Sequence, residues 1–307
     1  MNYQHILVFY QPITPLHVGC GQDVGIVDLP VIRERTTEYP FIPGSGIRGS
    51  VRERFEAAKS PATEVLFGPL AEREGSDDEV RYAGCVAVHD AKILLFPVRS
   101  DRTVFLWITC PAVLRRFDRD RDVFTKTIQL PGVQVATSPG DEEVVGPEAL
   151  KARLYLEEFA FTRSTAAPGG LKAWADEIGK VIGITDLGER TVLVSDRTFH
   201  YFVNHATAIL QHNRLTSAKT VEEGGLFSVE AVPPEAVFYG FFGATEPRRP
   251  AAEGEETWSR GKVLAELKTL GGAMTGSVGY LHLGGDESTG LGVTQIVWAG
   301  PDTGGQP

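Results

Sequence analysis

Sulfur is scarce in this chain of 307 residues. Its three cysteines, Cys20, Cys85 and Cys110, lie far apart with no CxxC pair. Neither a zinc knuckle nor a disulfide framework is expected, and the thiols read as small buried groups in a reducing compartment. Positive charge is also short: 30 Lys and Arg stand against 40 Asp and Glu, a formal net charge of −10. Such a chain repels a free polyanion, so any nucleic-acid binding needs a local basic surface. The opening MNYQHILVFYQP has no basic n-region, and its apolar run is too short to span a bilayer. A soluble, cytoplasmic protein without membrane contact is expected. No GxSxG elbow is present, which argues against serine-hydrolase chemistry, and no HExxH or HxH spacing offers a metal site.

What is present suits a globular protein. Apolar residues at 42% and charged residues at 23% supply a core, and the length fits one large domain or a core with an inserted subdomain. YQHILVFYQPITPL reads as a buried strand ending at Pro15. After YPFIPGSG, the residues Ile47, Val51 and Phe55 recur at helical spacing, with Ser45 as the expected cap. AGCVAVHDAKILLFPVRS, TVFLWITC and RLYLEEFAF are strand-like, and PAVLRRFDRDRD is helical with Pro111 in its first turn. Stretches near 61–80 and 137–150 read as polar loops. A helix is predicted over SDRTFHYFVNHATAILQHN, capped by Ser195 or Asp196, with Phe199, Phe202, Val203, Ala206, Ile209 and Leu210 on one face. GGLFSVEAVPPEAVFYGFFGA gives two apolar runs joined at Pro233 and Pro234, a hairpin that would stand proud of the core. A helix over TWSRGKVLAELKTL and strands at GSVGYLHL and VTQIVW follow. Strands and helices alternate with long irregular insertions. This favours an α+β sheet with helices on one face, of the ferredoxin or RNA-recognition-motif kind, over a doubly wound parallel sheet.

Three stretches carry candidate chemistry. In TPLHVGCGQDVGIVDLP, His17, Asp23 and Asp28 cluster in a glycine-dense loop, a set suited to acid/base work or to a metal, although a lone histidine is more often structural. PGSGIRGSVRERFE places glycines at a helix start, where free N–H groups and the helix dipole attract phosphate, with Arg48, Arg52 and Arg54 within two turns. The bland alternative is a solvated arginine face paired with Glu53 and Glu56. GGDESTGLG, Gly284 to Gly292, is either a phosphate cradle or a hairpin turn; it matches neither a Walker A nor GxGxxG.

Taken in order, the stretch TPLHVGCGQDVGIVDLP to GSGIRGSVRERF, then FGP, HDAKILLFPVRS, FLWITCP, LEEFAF and LHLGGDESTGLG resemble the RAMP superfamily of CRISPR proteins over nearly the whole chain. Within it the chain looks like the repeated backbone subunit of the type III-B, or Cmr, effector complex. The equivalent type III-A, or Csm, subunit is a close cousin. The resemblance implies a single domain over 1–307: a modified ferredoxin-like, RNA-recognition-motif palm with inserted loops and a protruding thumb hairpin, placed near 215–243. It implies that copies of the chain stack along a CRISPR RNA (crRNA) with other Cmr subunits, and that each thumb displaces one nucleotide of the guide–target duplex. It further implies endoribonuclease cleavage of the target RNA there, with Mg²⁺ or another divalent cation as cofactor.

By the same resemblance Asp28 is the essential loop aspartate, as metal ligand or base, and His17 is its supporting loop histidine. Glu230, in SVEAVPP of the expected thumb, is a third catalytic candidate, while Asp23 has no role. Gly44, Ser45, Gly46, Arg48, Arg52, Gly284, Gly285, Gly290 and Gly292 are the expected RNA contacts. Two positions depart from the pattern. SGIRG stands where SSLKG is usual, and arginine keeps the charge and adds a fork; Leu291 stands where a basic residue is common, leaving backbone contacts there. On this reading Arg48→Glu weakens guide binding with the fold intact. Two rivals remain: a non-catalytic structural crRNA-binding backbone, and a lone guide-processing endonuclease, which the middle motifs disfavour.

Overall fold

The computed structural model of the chain describes residues 3–22, 25, 27–69, 82–125, 130–133, 138–164, 169–248, 257–272, 274 and 278–299. In chain order these form β1 (Gln4–Pro12), β2 (Phe41–Ile42), α1 (Gly44–Ala57), α2 (Thr63–Phe67), β3 (Val86–Val88), β4 (Ala91–Arg99), β5 (Phe105–Thr109) and α3 (Pro111–Phe124). Next come β6 (Glu143–Val144), β7 (Arg153–Leu156), β8 (Phe159–Arg163), α4 (Leu171–Ile182), α5 (Leu187–Arg190), β9 (Thr191–Leu193) and α6 (Asp196–His205). The chain continues through β10 (Ala208–Leu215), β11 (Val221–Ala231), β12 (Val237–Ala244), α7 (Arg260–Lys268), β13 (Val278–His282) and β14 (Val293–Ala299).

The palm is a sheet in the order β13-β14-β1-β12-β4-β5-β9, with β2 added on β4 and β3 on β12. Its ladders are antiparallel except for the parallel β5–β9 pair. β1 lies inside the sheet, Phe9 facing Tyr239 on one side and Val297 on the other. Its run Ile6–Pro12 is buried throughout, which is why the sequence there is continuously apolar rather than alternating. α3 covers the face bearing Phe9 and Tyr239: the Phe117 ring sits 6.3 Å from Phe9 and 4.8 Å, edge on, from Tyr239. β12 is buried at every position, so the centre of the sheet is closed on both faces.

The α+β class and the palm agree with the sequence reading; several boundaries do not. The helix starting behind Ser195 stops at His205, and Ile209 and Leu210 belong to β10. There the burial alternates residue by residue and Ala208 pairs with Ala231, so strand pairing prevails over a helical spacing that continues by chance. The protruding hairpin is therefore β10–β11, residues 208–231, not 215–243. Pro233 and Pro234 make no hairpin tip; they turn the chain from β11 into β12, which lies mid-sheet between β1 and β4. Proline cannot donate to a ladder and suits such a corner. Glu235 fixes it, with φ at 71°, its N–H on the Pro12 carbonyl and its own carbonyl taking the Trp107 indole N–H at 2.7 Å.

RLYLEEFAF is a hairpin of β7 and β8 turning at Glu157, φ 49°, rather than one strand. The 137–150 stretch is partly ordered into β6, and Asp141 accepts the Ser195 hydroxyl at 2.7 Å. Near 61–80 the described part holds α2, and residues 70–80 lie outside the described residues. α4 is an element the sequence reading lacked, although Leu171, Trp174, Ile178 and Ile182 are buried at helical spacing.

Candidate functional site

The segment after β1 is a loop pinned at its neck to the root of the thumb. Leu16 and Val232 exchange backbone bonds of 2.9 Å, and the Ile32 N–H returns to the Val18 carbonyl at 2.7 Å, closing the lobe. Its far side then runs parallel to β11: the Leu29 N–H donates to the Ser228 carbonyl at 3.0 Å, and the Glu230 N–H to the Leu29 carbonyl at 2.9 Å. This short ladder places Asp28 beside Ser228. The Asp28 Oδ2 accepts the Ser228 N–H at 2.8 Å and the Ser228 hydroxyl at 2.7 Å, while the Asp28 N–H donates to that hydroxyl oxygen at 3.0 Å. Asp28 is exposed. The Ser228 backbone N–H, and then its hydroxyl, hold the Asp28 carboxyl below the usual carboxylate range, so it is anionic at neutral pH.

Two residues along β11, Glu230 is buried, its carboxylate fully engaged. Oε2 accepts the Val31 N–H at 2.9 Å, and Oε1 accepts Arg33 Nη2 at 2.5 Å and the Thr207 hydroxyl at 2.8 Å. The Glu230 carbonyl lies 2.6 Å from His17 Nδ1. A carbonyl only accepts, so in the neutral ring Nδ1 carries the proton and Nε2 keeps its lone pair. Gly19 lets the ring lie there, since a Cβ at that position would come within 2.6 Å of Nε2.

The C-terminal glycine loop packs on the same segment. The Gly285 N–H donates to the His17 carbonyl at 2.8 Å and the Gly292 N–H to the Pro15 carbonyl at 2.9 Å. Gly284 has φ at 81°, and a Cβ there would fall 2.2 Å from the His17 carbonyl oxygen. These glycines serve close backbone contact within the protein; Gly290, φ 86°, faces open space. The structure thus gathers His17, Asp28, Glu230, Gly284, Gly285 and Gly292 around the thumb root.

The start of α1 is built differently from the sequence expectation. Pro43 occupies the cap position, and Ser45 lies inside the first turn, its side chain capping nothing. The Gly44 N–H is taken by Asp90 Oδ1 at 2.7 Å. Ser45 and Gly46 are exposed, and a Cβ on Gly46 or Gly49 would meet nothing within 4 Å. The arginines brace the helix instead of fringing it. Arg48 Nη2 donates to the Phe67 carbonyl at 2.5 Å with its guanidinium 5.5 Å from the Phe67 ring centroid. Arg52 donates to the Gly68 carbonyl at 3.1 Å and to Glu56 at 2.6 Å, and Arg54 reaches the Tyr280 carbonyl at 3.2 Å. Burial first, and the neighbouring Arg52 second, lower the Arg48 pKa. Arg48→Glu therefore disturbs the α1–α2 contact as well, and its effect on RNA binding cannot be separated from its effect on the fold.

Asp23 lies outside the described residues. Among the described residues no three histidine, cysteine, aspartate or glutamate side chains group to hold a metal ion. Nor is any helix among them long and apolar enough to cross a membrane. The residues that sequence reasoning missed are partners: Ser228, Arg33, Thr207 and Asp90. Ser228 had a local signal, since two residues apart on a strand place it on the side of Glu230.

The sequence model described as the RAMP superfamily matches residues 9–295. The chain is 31% identical to the CRISPR system Cmr endoribonuclease Cmr4 of Pyrococcus furiosus over 94% of each chain. It is similar to the crystal structure of oligomeric Cmr4 from that organism, with a TM-score of 0.68, 25% identity, and 96% of this chain and 99% of that one covered. Its fold is also that of a chain in the cryo-EM structure of the type III-B Cmr-beta complex bound to cognate target RNA, with a TM-score of 0.72 at 20% identity over 97% and 98% of the two chains. With its palm sheet, thumb hairpin and a family match across both, the chain belongs to the RAMP superfamily.

Proposed function

We propose that this chain is the crRNA-binding backbone subunit of a type III-B CRISPR effector, stacking with copies of itself and other Cmr subunits along the guide, and that it cleaves complementary target RNA as an endoribonuclease. The observation that carries the reading is an exposed, anionic Asp28 fixed at the root of a protruding hairpin. A relative named as an endoribonuclease, 31% identical over 94% of the chain, supports it. Base pairing supplies sequence specificity while the protein holds backbone, so an acidic subunit needs only a local RNA-binding surface repeated from copy to copy. The exposed first turn of α1 at Ser45 and Gly46 offers that surface through backbone groups.

In this reading the thumb displaces one nucleotide and presents its ribose to Asp28. The 2′-oxygen attacks the adjacent phosphate, the bond to the 5′-oxygen breaks, and a cyclic phosphate and a 5′-hydroxyl result. A carboxylate with a lowered pKa is a weak base, so Asp28 contributes chiefly by accepting the 2′-OH hydrogen bond and orienting it for attack. His17 serves the leaving oxygen as the imidazolium: with Nδ1–H on the Glu230 carbonyl, Nε2–H gives its proton to the departing 5′-oxygen, while the 2′-OH proton passes to Asp28 as attack proceeds. Glu230 positions the loop through its three donors and is not a proton carrier. Among the described residues the donor set does not fit a protein-built metal centre. Asp28 would be the described carboxylate to hold a divalent cation carried on the RNA phosphates, which would supply charge neutralisation at the phosphate under attack.

The test is a complex reconstituted with Asp28→Ala. Regularly spaced target cleavage falls by at least about 100-fold while guide loading is kept. Cleavage at the normal rate in Mg²⁺ overturns the catalytic reading and leaves the non-catalytic backbone.

A further inference from the structure

Ser228 is nearly buried on β11, 200 residues from the aspartate it touches. Every polar group it has is engaged with the Asp28–Leu29 segment. Its N–H and hydroxyl both donate to Asp28 Oδ2, its hydroxyl oxygen accepts the Asp28 N–H, and its carbonyl accepts the Leu29 N–H. The hydroxyl geometry follows from donor and acceptor counting. Because the Asp28 N–H can only donate, the serine oxygen must accept there, and its single proton is directed to the carboxylate. Both Ser228 donors fall on Oδ2, which leaves Oδ1 to meet a substrate or its ion.

We infer that Ser228 is the positioning residue of the cleavage site: it clamps the Asp28 carboxylate in one orientation and ties that orientation to the thumb. The inference rests on the proposed cleavage by Asp28. Ser228 pairs with Gln211 of β10, so the strand that holds the carboxylate is the strand that forms the hairpin. A thumb seated in the guide–target duplex and a correctly aimed Asp28 are then one event, and a displaced hairpin root carries the carboxylate with it. Charge-assisted bonds of this length are the strong kind, and two on one oxygen fix direction as well as place.

The experiment measures single-turnover cleavage at saturating target in the assembled ribonucleoprotein carrying Ser228→Ala, Ser228→Thr, Asp28→Ala or the Asp28→Ala, Ser228→Ala pair. Ser228→Ala slows cleavage by between about 10- and 100-fold, the range for a reacting group displaced by an ångström. Target affinity, guide loading and melting temperature stay as in the parent, and Ser228→Thr, which keeps the hydroxyl, recovers most of the rate. In the Asp28→Ala background the serine substitution has no further effect, as expected if the two act as a unit. Cleavage by Ser228→Ala at the parental rate overturns the inference, as does an equal slowing in the Asp28→Ala background. Where Ser228→Ala fails to assemble, Ser228→Cys, of similar size and a weaker donor, replaces it; its cleavage at the parental rate is equally fatal. Normal cleavage by Asp28→Ala sinks the functional reading, whereas a dead Asp28→Ala beside a normal Ser228→Ala sinks this inference alone.

Discussion

Two glycine-rich, charged segments meet the reader of this sequence as equals, and the fold treats their charges in opposite ways. Along α1 the cations turn inward. Arg48, Arg52 and Arg54 donate to the carbonyls of Phe67, Gly68 and Tyr280, leaving small residues and backbone on the open side. Around the loop after β1 the anions divide: Glu230, reaching in from β11, is buried with three donors, and Asp28 of the loop stays exposed with one oxygen held. Charge written in a sequence is thus not charge offered to a ligand. It becomes so only where the fold leaves a group unengaged, and that differs between these segments for reasons of partner, not of composition.

The comparison breaks most severely if Asp28 is not the free anion of the pair. Asp28→Ala is expected to cost at least about 100-fold in target cleavage with a smaller loss of stability than at Glu230, since the carboxylate is exposed and only Ser228 loses an acceptor. Glu230→Ala is expected to behave in the reverse way. It leaves Arg33, the Val31 N–H and the Thr207 hydroxyl without their acceptor and lowers stability by about 3 kcal/mol in urea unfolding, the low end for a broken buried pair because Arg33 is partly exposed. A Glu230→Ala variant as stable as the parent would show that the carboxylate is not an anchor. Gly284→Ala comes next. Its Cβ would press on the His17 carbonyl oxygen in a backbone conformation that alanine adopts poorly, for a loss of about 1–3 kcal/mol. An unchanged melting temperature would mean that this loop yields without disturbing the His17 segment.

The sequence carries the local part of this structure well. Pro111 opens α3, the Ser195 hydroxyl accepts the Thr198 N–H at 3.0 Å, and Ser259 caps α7, all of which are decided within one turn of chain. His17 and Asp28 stand out because they sit in one glycine-dense loop. What stays hidden is pairing at long range: nothing within reach of Asp28 in the sequence points to Ser228, or within reach of Gly44 to Asp90. The thumb lies apart from its expected place for a related reason. The apolar residues of β10 continue the spacing of α6, and only the β11 partner, drawn from beyond the turn, decides that Ile209 is in a strand. The proline corner then resembled a hairpin tip, although the buried run after it could only lie inside a sheet.

The finest division between the segments concerns how α1 would meet RNA. With its arginines engaged, the helix start can contact a guide phosphate through backbone N–H groups at Ser45 and Gly46, and such contact has a particular mutational signature. Gly46 is exposed, helical and surrounded by open space, so both Gly46→Ala and Gly46→Glu should stabilise the chain slightly, by about 0.5 kcal/mol, through helix propensity. A glutamate in a first turn is also favoured by the helix dipole. The two variants should part company on RNA. The methyl leaves the N–H groups and the field unchanged, whereas the carboxylate repels the phosphate it faces, so guide loading falls for Gly46→Glu alone and the deficit shrinks as salt is raised from 50 to 200 mM, roughly the range over which phosphate contacts weaken. Equal loading by both variants would remove the first turn of α1 from the RNA surface and leave it a brace for α2 and β13. Loss in both would instead mean that the guide packs against the bare glycine face itself, a contact of shape rather than of charge.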